Sequence, residues 1–142
     1  MAAFAAALAL ALCLPACTLA QCSLIVSPQE LAQLLADQPE ATFVDLRSEK
    51  AYNQMHIPGF VLLKYDEQAV LALADGEGPV VLICETGVRS AEAFNLLLGQ
   101  GRDDVHACIF GVTDYAEAMG EAQMEGDNIC LPCALETKEE EP

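Results

Sequence analysis

Apolar positions in this chain come in two alternating patterns. Short apolar runs, several rich in β-branched or aromatic residues, read as strands: Leu24-Ile25-Val26, Thr42-Phe43-Val44-Asp45-Leu46, residues 60–64, Val80-Val81-Leu82-Ile83 and Val105-His106-Ala107-Cys108-Ile109-Phe110. The fourth run is apolar at every position, the pattern of a strand covered on both faces. Between the runs the spacing turns helical. In Ser27-Pro28-Gln29-Glu30, Ser27 is placed to cap a helix, Pro28 to occupy its first position and Glu30 to close a capping box; Leu31, Leu34 and Leu35 then share one face. Residues 48–54 read as a short helix that stops ahead of Pro58 and Gly59. Residues 66–74 read as another, ended by Gly76-Glu77-Gly78-Pro79. A third follows Gly87, with Ser90 near its start and Ala91, Phe94 and Leu98 along one face, and ends at Gly99 and Gly101. A last helix is expected from about Thr113, with Tyr115, Ala118 and Met119 facing inward. Strand and helix alternate throughout, without internal repeats. This predicts an α/β fold: a central parallel sheet with helices on both faces.

At 142 residues the chain makes one domain. Its hydrophobic fraction of 54% is raised by residues 1–20, but the remainder still suffices for one core. The formal net charge is −16, from 22 acidic and six basic residues, and no Lys or Arg precedes Arg47. Nucleic acid is excluded as a partner, because affinity there comes from neutralising phosphates. An anionic membrane surface repels such a chain too, which leaves membrane association to an N-terminal anchor or lipid.

Residues 1–20, MAAFAAALALALCLPACTLA, form an apolar Ala/Leu stretch ending in small residues. Three readings fit. One is a secretory signal peptide cleaved after Ala20, with Thr18 and Ala20 as the small residues, though it lacks a basic n-region. Another is lipidation at Cys17 within Leu14-Pro15-Ala16-Cys17. The last is an uncleaved anchor helix. Each implies an exported protein, periplasmic or secreted, whose folded part (residues 24–122) lies outside the reducing cytoplasm. Residues 123–142 carry a C-x-x-C and an acidic tail, and residues 136–142 are expected to be disordered.

Outside the cytoplasm cysteines pair. The chain has seven, and cleavage after Ala20 would leave five: Cys22, Cys84, Cys108, Cys130 and Cys133. Cys108 lies in a strand and is expected to be an inert buried thiol. Cys130-Leu131-Pro132-Cys133 has the spacing of a redox pair or a structural disulfide, and Cys22 could pair with either member. A zinc site would need two more ligands, and no second C-x-x-C exists. An odd number leaves a free thiol, for which Cys84 is the candidate.

Cys84-Glu85-Thr86-Gly87-Val88-Arg89 carries the chemistry. The cysteine ends a strand, in a short turn that leads into a helix, where open α/β sheets place their ligand sites. Backbone N–H groups of the turn and the helix N-terminus form an anion cradle, and the same field lowers a thiol's pKa. Gly87 supplies conformational freedom and Arg89 a permanent charge with forked donors. A loop that wraps phosphate needs one residue more than the four between Cys84 and Arg89.

With this loop the chain resembles the rhodanese family of sulfurtransferases, over residues 24–122. Four segments carry the resemblance in the family's order: residues 27–35, Asp45-Leu46-Arg47, His56-Ile57-Pro58-Gly59 and residues 84–90. There are two departures. Met55 stands where the family usually has a glycine before the His-Ile-Pro-Gly, suggesting a changed bend. Phe110-Gly111 and Tyr115 stand where it usually has Gly-Gly and Trp.

The resemblance implies a sulfurtransferase that moves sulfane sulfur from a donor such as thiosulfate to a thiol or cyanide through a persulfide on Cys84. Cys84 and Arg89 would be catalytic. Glu85, Thr86, Gly87, Val88, Arg89 and Ser90 would bind substrate. Asp45, Arg47 and His56 would support the loop, His56 as a structural histidine rather than a base for Cys84. His106 is read as a strand residue without a catalytic role. No cofactor or metal is implied. The implied partners are a small sulfur donor and a thiol acceptor, with a protein persulfide as another donor, because Glu85 and the charge of −16 oppose anionic donors. Two other readings stand beside this one: a thiol-disulfide or persulfide oxidoreductase using Cys130 and Cys133, and a non-catalytic binding module on the same fold.

Overall fold

The computed structural model describes residues 22–127. Cys13, Cys17, Cys130 and Cys133, and with them the leader and C-x-x-C readings, lie outside the described residues. Five strands, β1 (Ser23–Ile25), β2 (Thr42–Asp45), β3 (Val61–Leu62), β4 (Val80–Cys84) and β5 (Val105–Gly111), form one sheet in the order β1-β5-β4-β2-β3, with every pairing parallel. Among the described residues the α-helices are α1 (Pro28–Asp37), α2 (Glu49–Gln54), α3 (Glu67–Ala72), α4 (Val88–Gly99) and α5 (Val112–Met119).

β4 is central in the sheet, and all five of its residues are buried, as its unbroken apolar run requires. Its side chains alternate between two cores. Val81 and Ile83 join Phe43, Ile57, Phe60 and Cys108 on the side where α1 packs against α5. Val80, Leu82 and Cys84 join Val44, Val70, Ala93 and Leu97 on the side where α3 packs against α4. Helices therefore cover both faces, as the alternation of elements predicts. The edge strands β1 and β3 have only three and two residues, which limits the unpaired edge.

Local signals set the helix starts. The Ser27 hydroxyl accepts the Glu30 N–H at 3.2 Å, while the Glu30 carboxylate accepts the N–H of Val26 rather than of Ser27, one residue further out than a standard capping box. Ser48 and Asp66 cap α2 and α3 in the same way, accepting from Ala51 and Ala69. α3 is shorter than its apolar pattern suggests and passes into a 3₁₀ turn over Leu73–Asp75. Among the described residues no helix is long and apolar enough to cross a membrane.

Three expectations are corrected. α4 buries Ser90, Ala93 and Leu97 rather than the face containing Ala91, Phe94 and Leu98; Leu98 is 40% exposed. The face is offset by one position because Ser90 is drawn beneath the loop by its hydrogen bonds to Gly87 and Cys108. On α5, Ala118 faces solvent, and Val112, Tyr115 and Ala116 are buried. The folded body also continues past residue 122. Met124 is buried in the core, Glu125 pairs with His56 as an antiparallel bridge, and the Asp127 N–H donates to the Asn53 carbonyl at 2.8 Å.

Leu97→Ala is expected to cost about 2–5 kcal/mol of unfolding free energy, the usual range for truncating a fully buried leucine. Leu98→Ala should stay within about 0.5 kcal/mol. Urea denaturation of the two variants checks which face of α4 is buried.

Candidate active site

β4 ends at Cys84, and α4 begins at Val88 with Gly87 as its N-cap. Gly87 has φ +89°, in the left-handed region. A Cβ there would also come within 2.6 Å of the Ile109 carbonyl, so position 87 excludes a side chain on two grounds. Gly111 meets the loop from the other side: a Cβ on it would fall onto the Glu85 carbonyl oxygen. β5 makes these approaches through a bulge. Leu82 pairs with Ala107 but Cys84 with Gly111, so β5 spans four steps where β4 spans two. The glycine kept in Phe110-Gly111 is thus the one that lets the loop close against the strand.

Cys84 is only 1% exposed and forms the floor of an open cavity of about 580 Å³. Its Sγ accepts the Gly87 N–H at 3.0 Å and lies 3.5 Å from the Ser90 hydroxyl. Burial alone pushes this thiol's pKa up. Hydrogen bonds from the Ser90 side chain and from the backbone of Ser90, Thr86 and Gly87 outweigh that, and the net shift is downward. The first turn of α4 adds its positive end to the same field.

The structure sets Gly87 and Ser90 apart from the other loop residues: both are buried and neither lines the cavity. Ser90 is fully buried under Cys84, and its hydroxyl lies 2.7 Å from the Cys108 carbonyl and 3.0 Å from that of Gly87. With a single proton, this hydroxyl can accept from a thiol while donating to a carbonyl, or turn to donate to a thiolate.

Glu85, Thr86, Val88 and Arg89 line the cavity walls, with Arg47, Ser48 and Ala51 from the β2–α2 region opposite. Arg89 is exposed; its guanidinium carbon lies 5.8 Å from the centre of the Tyr65 ring, and among the described residues it has no ion pair. Arg47 is buried. Its Nε and Nη2 donate to the fully buried Asp45 carboxylate at 2.9–3.2 Å, Nη2 also donates to the Met55 carbonyl at 2.6 Å, and Nη1 lies 3.6 Å from the Glu85 carboxylate. Asp45 thus anchors an arginine that ties β2 to the end of α2 and to the Cys84 loop. Met55 itself is extended, with φ −164°, a conformation open to any residue, so a side chain there is unstrained.

His56 is held away from this chemistry. Its Nδ1 bonds to the Tyr52 carbonyl at 2.8 Å, its Nε2 lies 3.4 Å from the Glu125 carboxylate, and its ring stacks on Tyr52 at 3.9 Å. It does not line the cavity over Cys84. His106 is buried in β5 against the Ser23 hydroxyl at 2.7 Å, and burial lowers its pKa. Burial, followed by the charges of Cys84 and Glu30, pushes the Cys108 thiol far up, so it stays protonated. The Cys22 thiol lies 3.6 Å from the Arg102 carbonyl. Among the described residues no cluster of three His, Cys, Asp or Glu could hold a metal ion.

On the opposite wall of the cavity the sequence points to Arg47 but not to Ser48 or Ala51, nor to a smaller cavity of about 260 Å³ that shares Arg47, Ala51 and Glu85 and adds Gln54, Met55, Thr113 and Glu121. Those residues converge through the parallel topology, which a linear pattern does not encode.

Residues 27–118 match the model of the Rhodanese-like domain. The thiosulfate sulfurtransferase GlpE of Pseudomonas savastanoi is 38% identical over 81 residues, which cover 56% of this chain and 76% of that protein. GlpE of Shewanella oneidensis is 31% identical over 94 residues, covering 66% and 92%. Among solved structures, the rhodanese-like domain of an Anabaena protein superposes with a TM-score of 0.58 at 22% identity, over 77% of this chain and 80% of that one. A rhodanese-like domain protein of Staphylococcus aureus gives 0.56 at 20% identity, over 74% and 98%. The solved structures bear on the fold; the family model and the GlpE proteins support sulfurtransferase activity at the level of the family.

Arg47→Met should cost about 3–5 kcal/mol, because it leaves the buried Asp45 carboxylate without its counter-charge. The double variant Asp45→Leu/Arg47→Met should be less destabilised than Arg47→Met alone. Urea unfolding of the three proteins measures both.

Proposed function

This chain belongs to the rhodanese-like domain family, and from that premise we propose that it is a sulfurtransferase carrying sulfane sulfur on Cys84. The observation that carries the reading is the Cys84 sulfur itself. It lies at the floor of an open cavity, receives the Gly87 N–H at 3.0 Å, and has a pKa drawn down by the loop's hydrogen bonds. A thiolate so placed is a nucleophile.

Cys84 attacks the outer sulfur of a donor such as thiosulfate. The bond between the donor's two sulfurs breaks, and its electron pair leaves with sulfite. Cys84 is then a persulfide whose terminal sulfur carries the negative charge, stabilised by the same N–H groups. An acceptor thiolate or cyanide takes that sulfur and returns Cys84 to the thiolate, so the kinetics are ping-pong. Arg89, at the mouth and without an ion-pair partner among the described residues, attracts the anionic end of the donor. Asp45 and Arg47 position the loop, and Ser90 positions the Cys84 sulfur. Partners are a small sulfur donor, or a persulfide on another protein, and a thiol acceptor. The apolar residues 1–20 support export to the periplasm or beyond, with Cys84 as the working free thiol.

The test is sulfur transfer from thiosulfate to cyanide, run beside Cys84→Ser, with intact mass recorded after donor treatment. The expected result is turnover and a gain of about 32 Da, one sulfur atom, both absent in Cys84→Ser. No added mass with any sulfane donor would overturn the reading.

A further inference from the structure

The cavity over Cys84 has no surplus positive charge. Its two cations are Arg47 and Arg89; against them stand the Glu85 carboxylate, which also lines the cavity, and the Asp45 carboxylate buried behind Arg47. Arg47 is bound to Asp45 through two nitrogens, to the Met55 carbonyl at 2.6 Å and to Glu85 at 3.6 Å, so its charge is already answered. Arg89 remains for a substrate. A dianion entering this site therefore meets one free guanidinium and one carboxylate whose side chain is 62% exposed.

Glu85 also borders the adjoining cavity of about 260 Å³, where a second carboxylate, Glu121, is among the lining residues. The two cavities share Arg47, Ala51 and Glu85 and so lie side by side. A ligand reaching from Cys84 toward the second cavity has Arg89 beside its reacting end and Glu85 and Glu121 beside its far end, where the lining cation, Arg47, is already paired with Asp45.

We infer that Glu85 is a specificity-determining residue that turns this site away from dianionic sulfur donors and toward zwitterionic ones, in which a sulfane sulfur and an ammonium group share one small molecule. The inference rests on the sulfurtransferase reading above. The chemical step is of the same kind: the Cys84–sulfur bond forms, the donor's own bond to that sulfur breaks, and a sulfinate leaves with the electron pair, where thiosulfate releases sulfite. What Glu85 alters is the electrostatic work of bringing the donor in, which scales with donor charge. Salt should weaken the effect, because the cavity is open to solvent.

Three donors that each give up a sulfane sulfur by breaking a sulfur–sulfur bond form a charge series: thiosulfate, which releases sulfite, and methanethiosulfonate and 2-aminoethanethiosulfonate, which release a sulfinate, carry two, one and no net negative charges at neutral pH; following each donor across the variants cancels its intrinsic reactivity. Wild type, Glu85→Gln and Glu85→Asp are compared by kcat/KM for each donor, with cyanide as acceptor and the mass of Cys84-bound sulfur recorded. In Glu85→Gln the value for thiosulfate should rise about tenfold and that for methanethiosulfonate about threefold, while that for 2-aminoethanethiosulfonate falls. Glu85→Asp should keep the wild-type ranking. Equal changes for all three donors, or a fall confined to thiosulfate, would overturn the role of Glu85 while leaving the sulfurtransferase reading in place. Failure of every donor to load sulfur on wild-type Cys84 would overturn both.

Discussion

The close approach of two backbones holds this site together. The loop after Cys84 presses against the end of β5 at Gly87 and at Gly111, and neither contact leaves room for a Cβ. The bulge in β5 supplies the slack for that approach, and the central position of β4 supplies the rigidity. With the loop pinned, the Gly87 N–H reaches the sulfur and Ser90 is carried under it. Loosening either glycine contact would move donors that must lie within a few tenths of an ångström of their places to act on charge.

Electrostatics then divides the neighbourhood into a dry layer and a wet one. Beneath the loop, Asp45 and Arg47 are buried and satisfy each other, and Ser90 finds carbonyl partners. Above it, Glu85 and Arg89 are exposed and free to meet a ligand. Arg47 joins the layers, since the guanidinium that neutralises Asp45 also contacts Glu85. The contrast between Cys84 and Cys108 follows the same logic. Both are buried in the strands beside the loop, yet the thiol that faces N–H donors is drawn toward its anion, and the one packed among hydrocarbon is pushed away from it.

Much of this was legible in the sequence because it is local. The all-apolar run of β4 marked a doubly covered strand, Ser27, Ser48 and Asp66 fall at helix starts, and the spacing of Cys84, Gly87 and Arg89 describes the loop nearly completely. The failures have a common cause. The inward face of α4 departs from the apolar pattern because Ser90 is polar, and its burial depends on carbonyls of Gly87 and of Cys108 on another strand. Packing continues past residue 122 because Met124 and Glu125 acquire partners only when the chain returns to α2 and His56. Likewise Ala51, Thr113 and Glu121 carry no sign in the linear pattern of lining one cavity; the parallel crossovers bring them together.

Reactivity at this site turns on Cys84 being held toward its thiolate by this cradle. The most direct measurement is the pH dependence of thiolate absorbance, taken as the difference between the wild-type protein and Cys84→Ser so that the other cysteines cancel. A midpoint below the ordinary thiol value of 9.0, moving upward in Ser90→Ala as a donor is lost, is the result the geometry requires. A midpoint at or above that value, insensitive to Ser90, would mean that burial outweighs the hydrogen bonds and that the cradle does not activate the sulfur.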